Sequence, residues 1–248
     1  MDKSALCDLN LSGVRWELTE KAEKSRPLRA PVQQSFHHPH QTKGNTIIIP
    51  PIAPINLDTV KSMVMRPTDI DSLIRMVGEF NHPLKNGATN TVLPNIASNP
   101  NGLVIVTDSP NTDDDISGHI LSGAAGEMTD KMLNAVGMNR ENVSIIPILF
   151  WRTPGGRSPT REELDFSMPF VNKMLEMLSP RIIITFGTLA TTEIANINLN
   201  DAHGNEIHND KGCVIIPLYH PNYLILKPSA KRDVWNALQN IQNLLKIA

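Results

Sequence analysis

The sequence predicts an α/β fold: three layers, α/β/α, with a central, mainly parallel four-stranded sheet, plus an irregular N-terminal extension. Three observations carry this. From residue 103 onward four short apolar, β-branched runs recur, "LVIVTD", "VSIIPILF", "RIIITFG" and "CVIIPLYH", which is how strands buried on both faces read. Helical stretches separate them, and strand–helix alternation implies parallel strands joined by crossovers. The chain also holds 19 prolines, many of them in the first hundred residues. Residues 1–66 therefore read as an extension and Pro-rich linker, and 67–248 as the folded domain.

Taken in order, "LSGVRWELTEKAEK" suits a short helix, and "RPLRAPVQQSFHHPHQTKGN" has no period and reads as linker. Its "FHHPH" (His37, His38, His40) lacks the cysteine or carboxylate that would complete a metal site, so a solvated tract is the simpler reading. "TIIIPPIAPI" is broken by Pro50, Pro51 and Pro54 and cannot be a central strand. A helix is expected at "TDIDSLIRMVGEF", with Thr68 as its cap. Between the apolar runs lie the helices "GEMTDKMLNAVGM", "TREELDFSMPFVNKMLEML" and "TLATTEIANI", and "SAKRDVWNALQNIQNLLK" follows the last run. In the second, Leu164, Met168, Val171, Leu175 and Leu178 form one stripe, and Thr160 with Glu163 forms a capping box.

Composition narrows the function classes. A formal charge of −2 and a pI near 6.4 exclude a global basic field, so any nucleic-acid contact is local. Two cysteines, Cys7 and Cys213, are too few for a disulfide framework or a thiolate cluster and suit a reducing compartment. The chain shows no long apolar run and no signal-peptide pattern, so the expectation is a soluble, cytoplasmic protein without a membrane partner.

Parallel sheets place ligands at the carboxyl ends of their strands. Three segments converge there: "TDSPN", the end of "IIPILFWR", and "YHPNY". His220 is either a strand-end histidine satisfied by a backbone carbonyl or a functional group whose direction Pro221 holds. Asp108 is a site carboxylate or a plain helix cap. The run Asp113 to Asp115 reads as solvated surface, its side chains adjacent rather than on one face. Arg152, Arg157 and Arg161 sit in a rigid Pro/Gly loop and could clamp phosphate. Lys227, Lys231 and Arg232 make a second basic patch beside a helix start at Ser229. Two such patches flanking one pocket favour DNA over a small anion.

In this order the segments "TDSPNTDDDISGHILSGAAGEMTDKML", "IIPILFWRTPGGRSPTREE", "SPRIIITFG" and "HPNYLILKPSAKRDVW" resemble the uracil-DNA glycosylase superfamily, most closely its family-4 branch of the alphaproteobacterial type. The resemblance covers about residues 103–245 and implies a DNA repair hydrolase that cleaves the N-glycosidic bond of a flipped, damaged base. It assigns Asp108 to the position of a Glu that orients water or stabilises the sugar cation. It assigns His220 to the histidine that supports the departing base. The base pocket would comprise Thr107, Ser109, Pro110, Asn111, Leu121 and Pro147; Arg152, Arg157, Lys227, Lys231 and Arg232 would meet DNA, with Leu226 as a wedge in the duplex.

The motifs also depart from the family. Thr107 and Asn111 replace glycines, Leu121 replaces a stacking aromatic, and Pro147 replaces the Asn that reads the uracil edge. Thr107 would not easily adopt the left-handed backbone open to a glycine, whereas Asn111 would tolerate it. His82, Trp151 and Ser167 stand near positions where the family has the cysteines of an iron–sulfur cluster, so no cofactor or metal is expected. The implied alternative is a catalytically inactive member acting as a DNA- or protein-binding module.

Overall fold

The computed structural model describes residues 56–210 and 212–247. The readings of the early helix, the linker, "FHHPH" and "TIIIPPIAPI" lie outside the described residues.

The sheet contains β1 (Leu103–Thr107), β2 (Ser144–Pro147), β3 (Ile182–Phe186), β4 (Ile207–His208) and β5 (Val214–Leu218) in the order β2-β1-β3-β5-β4. The four expected strands are there and parallel. The fifth, β4, is a two-residue antiparallel strand beside β5, too short to write a pattern into the sequence.

Helices cover both faces, because each strand's side chains alternate between them. Val104, Val106, Ile146, Ile148, Ile183 and Ile215 enter one core with Leu73 and Val77 of α2 (Ile70–Glu79) and Phe170, Val171 and Met174 of α5 (Arg161–Leu178). Val60 and Val64 join it from α1 (Leu57–Met63) and its C-cap, upstream of residue 67. Leu103, Ile105, Ile145, Ile182, Ile184 and Ile216 enter a second core, with Leu133 of α4 (Gly123–Ala135) and Val234, Leu238 and Ile241 of α9 (Lys231–Ile247).

Short helices complete the chain: α3 (Thr112–Ser117), α6 (Thr188–Ala195), α7 (Leu199–Ala202) and α8 (Pro221–Leu226). Of these only α6 was expected, since one turn of helix is too short to display a 3.6-residue period. The Thr160/Glu163 capping box of α5 forms as anticipated. At α2 the cap is Asp69 rather than Thr68: its Oδ1 accepts from Ser72 N at 2.8 Å, and a carboxylate suits a helix N-terminus better than a hydroxyl. No helix among the described residues is long and apolar enough to cross a membrane.

Candidate active site

Asp108 follows directly on β1. Its backbone N–H extends the ladder to Phe186 O (3.2 Å), and its Oδ1 accepts from Ala190 N (2.8 Å) in the first turn of α6. The carboxylate thus caps a helix from a neighbouring strand. Gly187, with φ +99°, makes room for it, because a Cβ there would collide with Asp108 Oδ2. This gives a local reason for the glycine that ends "RIIITFG". Burial pushes the Asp108 carboxyl up to about 6, outweighing the backbone N–H groups of Ala190 and Leu189 that favour the charged form.

His220 stands two residues beyond β5 and serves as the N-cap of α8, with Pro221 at the first helical position, where no N–H is needed. Its Nδ1 accepts from Asn222 N at 3.2 Å. Burial pushes its pKa down to about 4, so the ring is neutral near pH 7. With Nδ1 as acceptor, the single ring proton is assigned to Nε2. Among the described residues no side chain or backbone group takes that proton.

The two loops meet. Thr107, Asp108, Ser109 and Asn111 from one side, with His220 and Asn222 from the other, enclose a cavity of about 220 Å³ walled by Ile120 and Asp114. A second hollow of about 200 Å³ adjoins it, sharing Asp108 and His220 and adding Tyr219 and Tyr223.

Other expected pocket residues fall differently. Leu121 is buried in the second core with φ +52°, and Ile120 takes the cavity wall in its place. Pro110 and Pro147 are buried but do not face the cavity. Pro147 lies beside Thr107 in the parallel ladder, where Ile148 N donates to Thr107 O at 2.8 Å. Neither Thr107 nor Asn111 needs a left-handed backbone: Thr107 is in a strand, and Asn111 caps α3 at φ −89°.

The acidic run is not solvated surface throughout. Asp114 is buried and accepts from Asn111 N (3.0 Å) and Ser122 N (2.6 Å), and burial raises its pKa. Asp115 is buried too and accepts from Thr89 N (2.8 Å) and Asn90 N (3.2 Å). Asp114 holds the loops of the cavity wall, and Asp115 ties α3 to residues 89–90. Asn111 with Asp114 is a capping box that spacing can show, whereas the bonds to Ser122, Thr89 and Asn90 leave no trace in residue spacing.

Outside the cavity, Leu226 is 84 % exposed at the end of α8, and Lys227 Nζ stands 5.7 Å from the centre of the Tyr223 ring. Lys231 and Arg232 are exposed at the start of α9. The arginine loop divides. Arg157 makes a bidentate pair with Glu163 (2.8 and 2.5 Å), and Arg161 pairs with Asp165 and Glu193. Arg152 carries no ion pair among the described residues.

The positions assigned to cluster cysteines do not fit an iron–sulfur group. His82 is fully buried: its Nδ1 accepts from Leu84 N (3.1 Å), so its Nε2 donates to Glu163 O (3.0 Å). Trp151 Nε1 donates to Thr91 Oγ1 (3.0 Å), and Ser167 Oγ donates to Ile148 O (2.8 Å). Packed rings and closed hydrogen bonds occupy the space, and no thiolate is among them. Among the described residues no group of His, Cys, Asp and Glu could hold a metal ion.

A parallel sheet covered on both faces, with a carboxylate and a neutral imidazole meeting in a cavity at its strand ends, defines an α/β domain with a polar strand-end site. Residues 95–239 match the profile of the Uracil DNA glycosylase superfamily, and the chain belongs to that family. It is 26 % identical over 186 residues to the Type-4 uracil-DNA glycosylase of Archaeoglobus fulgidus, covering 71 % of this chain and 92 % of that protein. The Type-4 uracil-DNA glycosylase of Thermotoga maritima is 28 % identical over 149 residues, covering 58 % and 78 %. A DNA polymerase of Bacillus phage SP01 is 25 % identical over 145 residues, only 16 % of its own length.

Proposed function

We propose that the protein is a DNA glycosylase of the family-4 kind, hydrolysing the N-glycosidic bond of a damaged base flipped into the 220 Å³ cavity. The observation that carries this is His220, a neutral ring whose Nδ1 is held by Asn222 N, leaving Nε2–H as the donor in a cavity shared with Asp108.

As the bond from the base nitrogen to the sugar breaks, its electron pair goes to the base. Nε2–H of His220 hydrogen-bonds the base carbonyl oxygen where that charge collects. Asp108, ionised above about pH 6, stabilises the cation left on the sugar. Water then adds to the sugar carbon, and the proton it loses balances the one that the departing base anion takes up from solvent, leaving free base and an abasic site. Leu226 fills the gap in the duplex, and Lys227, Lys231, Arg232 and Arg152 meet phosphates. The reaction as drawn needs no metal or cluster, and we read the chain as metal-free and cytoplasmic.

A second reading, a DNA- or protein-binding module without catalysis, is favoured by Pro147, which offers no donor where the family reads uracil. Incubation with oligonucleotides carrying uracil, hypoxanthine or xanthine, followed by alkali, separates the two. Strand scission abolished by His220→Ala supports the enzyme. DNA retention without scission supports the binding module, and neither scission nor retention leaves the protein partner.

A further inference from the structure

Along β1, Leu103 and Ile105 face the second core and Val104 and Val106 the first. Alternation therefore turns Thr107 toward the second core, the face to which Ile120 of the cavity wall belongs. Thr107 is 1 % exposed, and its Oγ1 is a buried hydroxyl without a hydrogen-bond partner among the described residues. The fold does not treat buried threonines this way as a rule: Thr185 Oγ1 and Thr191 Oγ1 lie 2.9 Å apart, and Thr129 Oγ1 donates to Ala125 O at 2.8 Å. A buried polar group left unpaired in a site calls for an explanation.

The neighbouring strand supplies one. Thr107 and Pro147 are register partners in the parallel β1–β2 pair, so their side chains share a face. The residue that has no donor to offer thus sits beside one whose donor is unused. We infer that the Thr107 hydroxyl, sealed against its neighbours in this structure and turned into the cavity by one χ1 step, is the group that reads the flipped base, standing in for the side-chain amide that Pro147 lacks.

This rests on the glycosylase reading and specifies its substrate class. At about 220 Å³ the cavity lies below the ~300–1,000 Å³ of sites for drug-sized ligands, so it suits one nucleobase rather than a whole nucleotide. An amide presents a fixed donor and acceptor. A hydroxyl does either, and one χ1 step of Thr107 swaps its methyl and hydroxyl, so it meets an oxo or an amino group on the base edge. The site therefore discriminates weakly between oxo and amino forms of the base it takes.

The test uses the full chain and DNA that cannot be cleaved. One duplex carries 2′-fluoro-2′-deoxyuridine, whose fluorine destabilises the sugar cation; a second carries a tetrahydrofuran abasic analogue with no base to read. Thr107→Val, isosteric but without a hydroxyl, is expected to weaken binding of the first about tenfold and leave the second unchanged. Thr107→Ser is expected to bind both as the parent does. The melting temperature of Thr107→Val should hold or rise, since it removes an unpaired hydroxyl. Equal binding of both duplexes by parent and Val variant, an equal loss on both, or a lower melting temperature would each overturn the inference. Failure of the parent to bind the fluoro-uridine duplex better than undamaged DNA brings down the glycosylase reading as well, a different result from a Val variant that behaves like a base-reading parent.

Discussion

His82 lies face to face with Trp151, the ring centroids 4.5 Å apart and the planes 11° from parallel. Phe80 packs against both at 6.2 Å, and Phe166 meets His82 edge-on. Trp151 is among the largest fully buried side chains of the described residues. Apolar stacking fills a region where the resemblance places an inorganic cluster; Nδ1 of His82 caps its own turn at Leu84 N, and Nε2 ties that turn to Glu163 O.

His82→Ala should therefore destabilise the fold without any metal being involved. The change removes a buried ring and leaves Leu84 N and Glu163 O without their side-chain partner. Each orphaned group costs roughly 1–3 kcal/mol, so a loss of about 3 kcal/mol is expected in urea denaturation. Adding a chelator to the parent protein should not move its unfolding midpoint; a fall would mean that a bound metal supports the structure.

Asp108→Asn should lower activity and raise stability together. The folded pKa of about 6 lies above the ordinary 3.8. A raised carboxyl contributes stability that is fully present below the unfolded pKa and lost as pH climbs through the folded one. Holding the ionised form buried at pH 8 therefore costs about 3 kcal/mol, and Asn removes most of that cost while keeping an acceptor for Ala190 N. The gain should shrink toward zero as pH falls to about 4, read as melting-temperature differences across a pH series. An Asn variant less stable than the parent at pH 8 would contradict the burial argument.

Under the proposed mechanism the acid limb of the pH–rate profile should belong to Asp108 on the same grounds. Activity should fall below about pH 6, where Asp108 takes its proton, while His220, with a pKa near 4, stays neutral throughout. His220 pulls stability the other way. Its depressed pKa contributes stability present above the unfolded value of 6.5 and lost as pH falls toward 4. His220→Ala should cut kcat by roughly 10²–10³ and also flatten the loss of stability between those pH values. A profile whose acid limb stays at the same pH in Asp108→Asn would assign it to another group.

These pairs show what the sequence could and could not reveal. The four parallel strands were legible because burial on both faces writes continuous β-branched runs, and Pro221 marked His220 as a residue held in direction. Leu121 was misplaced because its left-handed φ of +52° turns it into the core and gives the wall to Ile120, a backbone fact with no signature in residue type. By sequence Arg157 suits a phosphate clamp, because the spacing of Glu163 shows its capping role and not its pairing with Arg157. That carboxylate does both: Arg157 holds its pKa down to about 2, and its Oε2 also accepts from Thr160 N at 2.8 Å. Asp114 sits in a capping box with Asn111 that spacing encodes, whereas the role of Asp115 depends on the backbone N–H groups of Thr89 and Asn90, far along the chain, which no local pattern encodes.

Leu226 provides the last prediction. A leucine 84 % exposed contributes almost nothing to the core, so Leu226→Ala should leave the unfolding midpoint within about 0.5 kcal/mol of the parent. Its neighbour Leu224 is 1 % exposed and anchors α8 in the second core, so the short helix presents Leu226 from a fixed base. Extruding a base from duplex DNA costs a few kcal/mol of unstacking and unpairing, and an apolar wedge offsets part of it. In single-stranded DNA there is no partner strand to fill in for. Leu226→Ala should therefore slow excision from a duplex by about tenfold while changing the single-strand rate little. Equal slowing on both substrates would place Leu226 in general DNA contact instead, alongside Lys227, whose loss should weaken binding to either form in a salt-dependent way.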